Sequence, residues 1–224
     1  MHHSKTRILA NQMIRPMVIL FSMAFSLSNL MAQESSKEAS KPSSAKDTVN
    51  PIVEITTSMG SIEVELNKMK APITVANFLA YVKDKHYDGT IFHRIIEDFM
   101  IQGGGFAGGE VPKQKTTKAP IKNEAKTSGL SNVRGTIAMA RTNAPDSATA
   151  QFFINVVDNK NLDAGGFSPD GYAVFGKVLS GMATVDKIRG AETGTTNLQT
   201  TYGKQPMRNV PLTPVIIKSI SLKK

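Results

Sequence analysis

Two stretches of the chain set polar side chains among large apolar ones, and both could carry chemistry. The first is Phe92-His93-Arg94-Ile95-Ile96-Glu97-Asp98-Phe99-Met100-Ile101-Gln102-Gly103-Gly104-Gly105-Phe106. Read as strands separated by a bend, it places Arg94 near Phe99, Met100 and Gln102. The second is Gly135-Thr136-Ile137-Ala138-Met139-Ala140-Arg141, followed by Ser147-Ala148-Thr149-Ala150-Gln151-Phe152-Phe153-Ile154-Asn155. A guanidinium is an always-charged donor of fixed geometry, suited to stabilising charge that appears only in a transition state. By residue type alone, however, Arg94 fits a buried ion pair with a carboxylate better than a catalytic role. Phe99, Met100, Phe153 and Leu162 fit ordinary core positions, and Gln151 could satisfy backbone groups within a bend.

Other chemistries are narrowed by composition. The chain has no Cys, which excludes disulfides, thiol catalysis and thiolate metal sites. Beyond the first 32 residues only His86 and His93 remain, so no His-rich metal site can be assembled and neither a metal nor a cofactor is expected. Gly103-Gly104-Gly105-Phe106-Ala107-Gly108 matches a dinucleotide-binding spacing, but that motif must open a helix. Gly109, Pro112 and Pro120 argue against one here. Lys113, Lys115, Lys118, Lys122 and Lys126 form a basic run without interleaved aromatics, which reads as a solvated loop and gives nucleic-acid binding no support. The alternative for that run is contact with anionic lipid or acidic partners.

The elements that must position these residues are short. Ile52–Thr57 and Ser61–Leu66 read as strands around a turn at Ser58-Met59-Gly60, the second alternating apolar and charged residues. Pro72 opens a helix running to about Lys83, with Val75, Phe78, Leu79 and Val82 along one face. Further strands are expected at Thr90–Ile95, Phe99–Gln102, Gly135–Ala140, Phe152–Val157, Tyr172–Val178 and Val215–Leu222. Gly103–Thr127 reads as a long loop, and Gly181–Gly190 as a short helix with Met182, Val185 and Ile188 on one side. Many short strands with two helices around one core suggest an antiparallel barrel or sandwich, and periodicity does not choose between them.

The two polar-in-apolar segments resemble the signature stretches of the cyclophilin family, with Met139–Val156 closest to bacterial members. Supporting likeness runs through Ala71-Pro72, Asn77-Phe78, Lys122-Asn123-Glu124 and Val174-Phe175-Gly176-Lys177-Val178, so that it spans about Val53 to Leu222. The resemblance implies a mainly β fold, a closed eight-stranded antiparallel barrel capped by two helices. It also implies cis–trans isomerisation of X–Pro bonds in proline-containing, unfolded or partly folded polypeptides. Arg94 takes the catalytic position of the family. Phe99, Met100, Phe153 and Leu162 match its proline pocket, and Gln102, Gln151 and backbone near Ala140 and Arg141 match its peptide-holding groups. Tyr172 falls at the pocket edge. Two departures stand out. Asn161 replaces an aromatic common in the family, which implies weak binding of cyclosporin. Glu97-Asp98 replaces a frequent Pro-Gly.

Residues 1–32 read as an export signal: Lys5, Arg7 and Arg15 precede the apolar run Met17–Leu27, and Ala32 offers a small residue for cleavage. The run is too short to span a bilayer comfortably, so no stable membrane insertion is expected once it is cleaved. The formal charge of +9 therefore overstates the mature protein, because that segment carries no acidic residue. Residues 33–50 read as a disordered polar linker and residues 51–224 as the isomerase domain. Together these readings predict a periplasmic or secreted bacterial isomerase, monomeric, with a non-catalytic proline-peptide-binding or chaperone module on the same fold as the rival.

Overall fold

The computed structural model describes residues 49–223. The expected signal, and the expected linker up to residue 48, lie outside them. The last linker residue, Asn50, is already tied to the domain, its Oδ1 accepting the Lys68 backbone N–H at 3.1 Å.

Alternation of apolar residues builds the barrel. In β1 (Ile52–Thr57) and β2 (Gly60–Leu66), Val53, Ile55, Ile62, Val64 and Leu66 all point into one core and are fully buried. The ring continues through β3 (Thr90–Ile96), β4 (Met100–Ala107), β6 (Thr136–Met139), β7 (Phe152–Asn155), β8 (Val174–Ser180) and β11 (Ile216–Leu222). Hydrogen-bonded neighbours run β4-β3-β11-β1-β2-β8-β6-β7, and an additional β4–β7 pairing joins the ends. Every pairing around this eight-stranded ring is antiparallel, so it has no free edge.

Helix α1 (Pro72–Lys83) begins at a proline whose missing N–H is one of the donors a helix start leaves unused. Its buried face is Thr74, Val75, Phe78 and Tyr81, while Leu79 and Val82, expected on that face, are only partly buried. The start has no cap of its own. Glu124, 50 residues later in the chain, accepts the N–H groups of Ile73 (3.1 Å) and Thr74 (2.8 Å), and the Thr74 hydroxyl at 2.7 Å. A carboxylate at that end also meets the positive pole of the helix. Helix α3 (Met182–Arg189) buries Val185 and Ile188 in the same core, with Met182 against it, as its spacing indicates.

The expected loop 103–127 is the main correction. Strand β4 runs on through Gly103-Gly104-Gly105-Phe106-Ala107, and the segment then supplies β5 (Lys113–Gln114) and the four-residue helix α2 (Ala125–Ser128). Glycines weaken a strand in general, yet here they admit neighbours: a Cβ on Gly105 would lie 2.5 Å from the Gln151 carboxamide. A hairpin of β9 (Thr193–Thr200) and β10 (Gly203–Pro211) was likewise not legible. Its polar sequence buries only Leu198, Val210 and Pro211, of which Leu198 and Val210 pack with Ile91 and Phe106 on the outer side of the barrel.

Candidate active site

The site lies on the outer wall of the barrel. Where Ile101, Ile137, Met139, Phe152 and Ile154 face inward, their neighbours Met100, Ala138 and Phe153 form a second cluster with Leu162 and Val174. Arg94 joins this wall through a register shift. Phe92 pairs with Gly103 and Arg94 with Gln102, so His93 is an extra residue on β3. Phe92 and Ile95 both belong to the interior core, and the bulge between them turns Arg94 outward.

Nine of the ten residues named from sequence line one pocket of about 120 Å³: Arg94, Phe99, Met100, Gln102, Ala140, Arg141, Phe153, Leu162 and Tyr172. Gln151, the tenth, stands just behind it. The Gln102 side chain donates its N–H to the Gln151 carboxamide oxygen at 2.9 Å, and Arg94 Nη1 reaches Gln102 Oε1 in a long 3.5 Å contact. Among the described residues Arg94 has no carboxylate partner, so the ion pair that its residue type favours is not formed. Burial lowers its pKa and the nearby Tyr172 opposes that shift. A guanidinium nonetheless stays charged in proteins.

His93 is fully buried against the Phe106 ring, with centroids 4.7 Å apart, and its Nδ1 has no hydrogen-bond partner. Burial, helped by the charge of Arg94, brings its pKa down to about 4, so the imidazole is neutral near pH 7.

Arg141 does not offer its side chain to the pocket as a free donor. Its Nε donates to the Gly171 carbonyl at 2.8 Å and its Nη2 to Ser168 Oγ at 2.9 Å, and the guanidinium stacks 4.5 Å from the Tyr172 ring centroid. Tyr172 in turn meets Phe153 edge-on at 5.9 Å. Asn161 is exposed, and its carbonyl holds the N–H of Phe167, an aromatic that is 75% exposed. Glu97 and Asp98 occupy a tight turn closed by Phe99 N–H to the Ile96 carbonyl at 3.0 Å, with both residues exposed.

Several positioning residues were missed. Asn159 donates to the Phe99 carbonyl at 2.7 Å and to Asn155 Oδ1 at 2.8 Å. Asn155 donates to Asn132 Oδ1 at 3.2 Å, and Asn132 donates to Asp163 Oδ1 and to the Tyr172 carbonyl. Burial would raise the Asp163 carboxyl, but hydrogen bonds from Ser131 and Asn132 outweigh it and hold the pKa below the usual value. Asn155, a buried polar residue ending an apolar strand, was the available signal. Lys122-Asn123-Glu124 is a strut. The Asn123 backbone N–H donates to Asp146 Oδ1 on one rim loop, and its side chain donates to the Asp170 and Gly171 carbonyls of the other. The basic run is largely spent in the same way: Lys118 pairs with Asp84, Lys122 with Asp146 and Lys126 with Asp170.

Comparison with known proteins agrees with this geometry. The family model described as cyclophilin type peptidyl-prolyl cis-trans isomerase/CLD matches residues 52–221. A peptidyl-prolyl cis-trans isomerase of Acinetobacter baylyi is 54% identical over 180 residues, covering 80% of this chain and 89% of that protein. Peptidyl-prolyl cis-trans isomerase B of Escherichia coli is 52% identical over 168 residues, covering 74% and 96%. Among solved structures, a cyclophilin type isomerase of Cryptosporidium parvum, determined in the presence of the dipeptide Ala-Pro, gives a TM-score of 0.60 at 26% identity. That match covers 77% of this chain and 99% of the other. Likeness of this length and closeness makes the chain a member of the cyclophilin-type peptidyl-prolyl cis-trans isomerases, and an isomerase of the peptide bond preceding proline.

Proposed function

We propose that Arg94 is the catalytic residue and that the enzyme serves the folding of exported proteins. The proline ring of a client enters the pocket walled by Phe99, Met100, Phe153 and Leu162. Gln102, Gln151 and the backbone near Ala140 and Arg141 hold the flanking peptide, and Tyr172 closes the edge. Rotation about an X–Pro bond is opposed by a barrier of about 18–20 kcal/mol from amide resonance. As the amide twists, the proline nitrogen becomes pyramidal and recovers its lone pair. A hydrogen bond donated to that nitrogen is then stronger in the twisted state than in either planar isomer, which is the condition for catalysis. About 7 kcal/mol of such preference gives roughly a 10⁵-fold acceleration. No proton transfer or covalent step is needed, and the equilibrium between isomers is untouched.

The observation that carries this reading is the Arg94 guanidinium, without a carboxylate partner, at an open pocket walled by Phe99, Met100, Phe153 and Leu162. The Ala-Pro dipeptide in the Cryptosporidium parvum relative supports a proline-containing ligand. Export rests on the signal-like composition of residues 1–32. A protease-coupled assay on a short Pro peptide tests the mechanism: Arg94→Ala should lower turnover about 100-fold with an unchanged melting curve. Near-normal turnover would remove Arg94 from the mechanism. Fractionation of cells expressing the full chain, with the N-terminus of the soluble product sequenced, tests export. Recovery of an intact N-terminus in the cytoplasm would refute it.

A further inference from the structure

A second hollow, of about 350 Å³, shares no residue with the proline pocket. It forms where the chain leaves α1 through Asp84, Lys85 and His86 and meets the segment 115–118. Its lining is rich in donors and poor in acceptors. The Lys85 ammonium and the hydroxyls of Thr116 and Thr117 have no partner among the described residues. Lys115 Nζ spends one N–H on the His86 carbonyl. The Tyr81 hydroxyl accepts the Lys118 backbone N–H at 2.8 Å and keeps its own proton to donate. The one carboxylate, Asp84, is taken by Lys118 at 2.6 Å. Lys85 adopts a left-handed backbone, φ 52°, that ends α1, with the His86 N–H donating to the Tyr81 carbonyl at 3.0 Å.

We propose that this hollow binds an oxyanion of the phosphate class, either the free ion or a small phosphate monoester. The lysines on opposite walls supply the charge, and Thr116, Thr117 and Tyr81 supply directed hydrogen bonds. The site is also wired to β4. His86 Nε2 donates to the Gly104 carbonyl at 3.2 Å, and the Lys115 N–H donates to the Gly105 carbonyl at 2.9 Å. The N–H groups of Gly105 and Phe106, which share peptide units with those carbonyls, therefore report on occupancy. The competing account is that these lysines only balance the negative end of α1. It predicts no saturable anion binding.

The test is a titration of the full chain with sodium phosphate, at constant ionic strength and pH 7.5, following backbone amide shifts. A parallel titration uses O-phosphoserine. Saturable shifts at Lys85, Gly105 and residues 115–118 are expected, weakened at least tenfold in Lys85→Ser/Thr117→Val, whose isomerase activity should equal wild type. Equal affinities would identify the terminal phosphate as the group read, and tighter O-phosphoserine binding would identify a monoester; both support the site. Linear shifts, shifts matched by chloride, or shifts unchanged in the variant would overturn it. If that variant is unstable, Thr116→Val/Thr117→Val removes two donors without altering charge and is held to the same criteria.

Discussion

The Gln102 side chain donates to the carboxamide oxygen of Gln151 at 2.9 Å, and Gln151 is pressed against the backbone of Gly105 with no room for another atom. The glycine thus sets where Gln151 stands, Gln151 sets Gln102, and Gln102 touches Arg94. Gly105→Ala should push Gln151 out of line. A misplacement of this size, remote from the reacting bond, is expected to lower kcat/KM by about 10–100-fold. The overpacking itself should cost about 1–3 kcal/mol by urea unfolding. Wild-type kcat/KM in the variant would show that the Gln102–Gln151 contact is irrelevant to turnover.

Glu124 caps α1 with both carboxylate oxygens. Glu124→Gln keeps the shape but turns one acceptor into a donor facing donors. Loss of charged hydrogen bonds in a buried place predicts about 2–3 kcal/mol of destabilisation. Isomerase activity per folded molecule should change little, because the residue touches no substrate. Thermal melts alongside activity corrected for folded fraction separate the two.

The lowered pKa of His93 gives a stability slope of known sign. In the unfolded chain the imidazole titrates near 6.5, and in the fold near 4. Between those values the unfolded state binds the extra proton, so stability falls as pH drops through that window and levels off below it. The full difference is about 3 kcal/mol. Subtracting the unfolding curve of His93→Leu from that of wild type, at pH 7.5 and 4.5, should expose the slope and cancel the carboxylates. Parallel curves would mean that His93 keeps its ordinary pKa in the fold.

Asn159 fixes the Phe99 carbonyl and one oxygen of Asn155. Asn159→Ala should loosen the pocket wall, and KM for a Pro peptide should rise about three- to tenfold on the loss of roughly 1 kcal/mol of positioning. The kcat should hold within a factor of two or so, since Arg94 keeps its own strand. A fall in kcat at constant KM would contradict that division.

Much of this was legible from the chain, for identifiable reasons. Ile52–Thr57 appears with the bounds expected of it, and Ser61–Leu66 begins only one residue earlier, because the apolar–charged alternation of Ile62–Leu66 is a strong local signal for a half-buried strand. The pocket was legible through resemblance, not through periodicity: by type alone Phe153 is core, and only the second cluster on the outer wall distinguishes it. Glycines hid the extension of β4, since propensity penalises Gly103–Gly105 while the tight approach of Gln151 and Tyr87 demands them. The β9–β10 hairpin escaped because residues such as Thr196, Asn197, Lys204 and Pro206 carry no apolar alternation. Glu124 at the head of α1 spans 50 residues of sequence, a partnership that no local window can read.

The extra residue in β3 has one more implication. One added residue in β4 opposite His93 would restore regular pairing, and with Phe92 held inward the arginine two positions on would then swing toward the crowded centre of the molecule. Turnover would vanish although every functional group was still encoded. Substitutions around that point are therefore easier for the fold to absorb than any change in the number of residues.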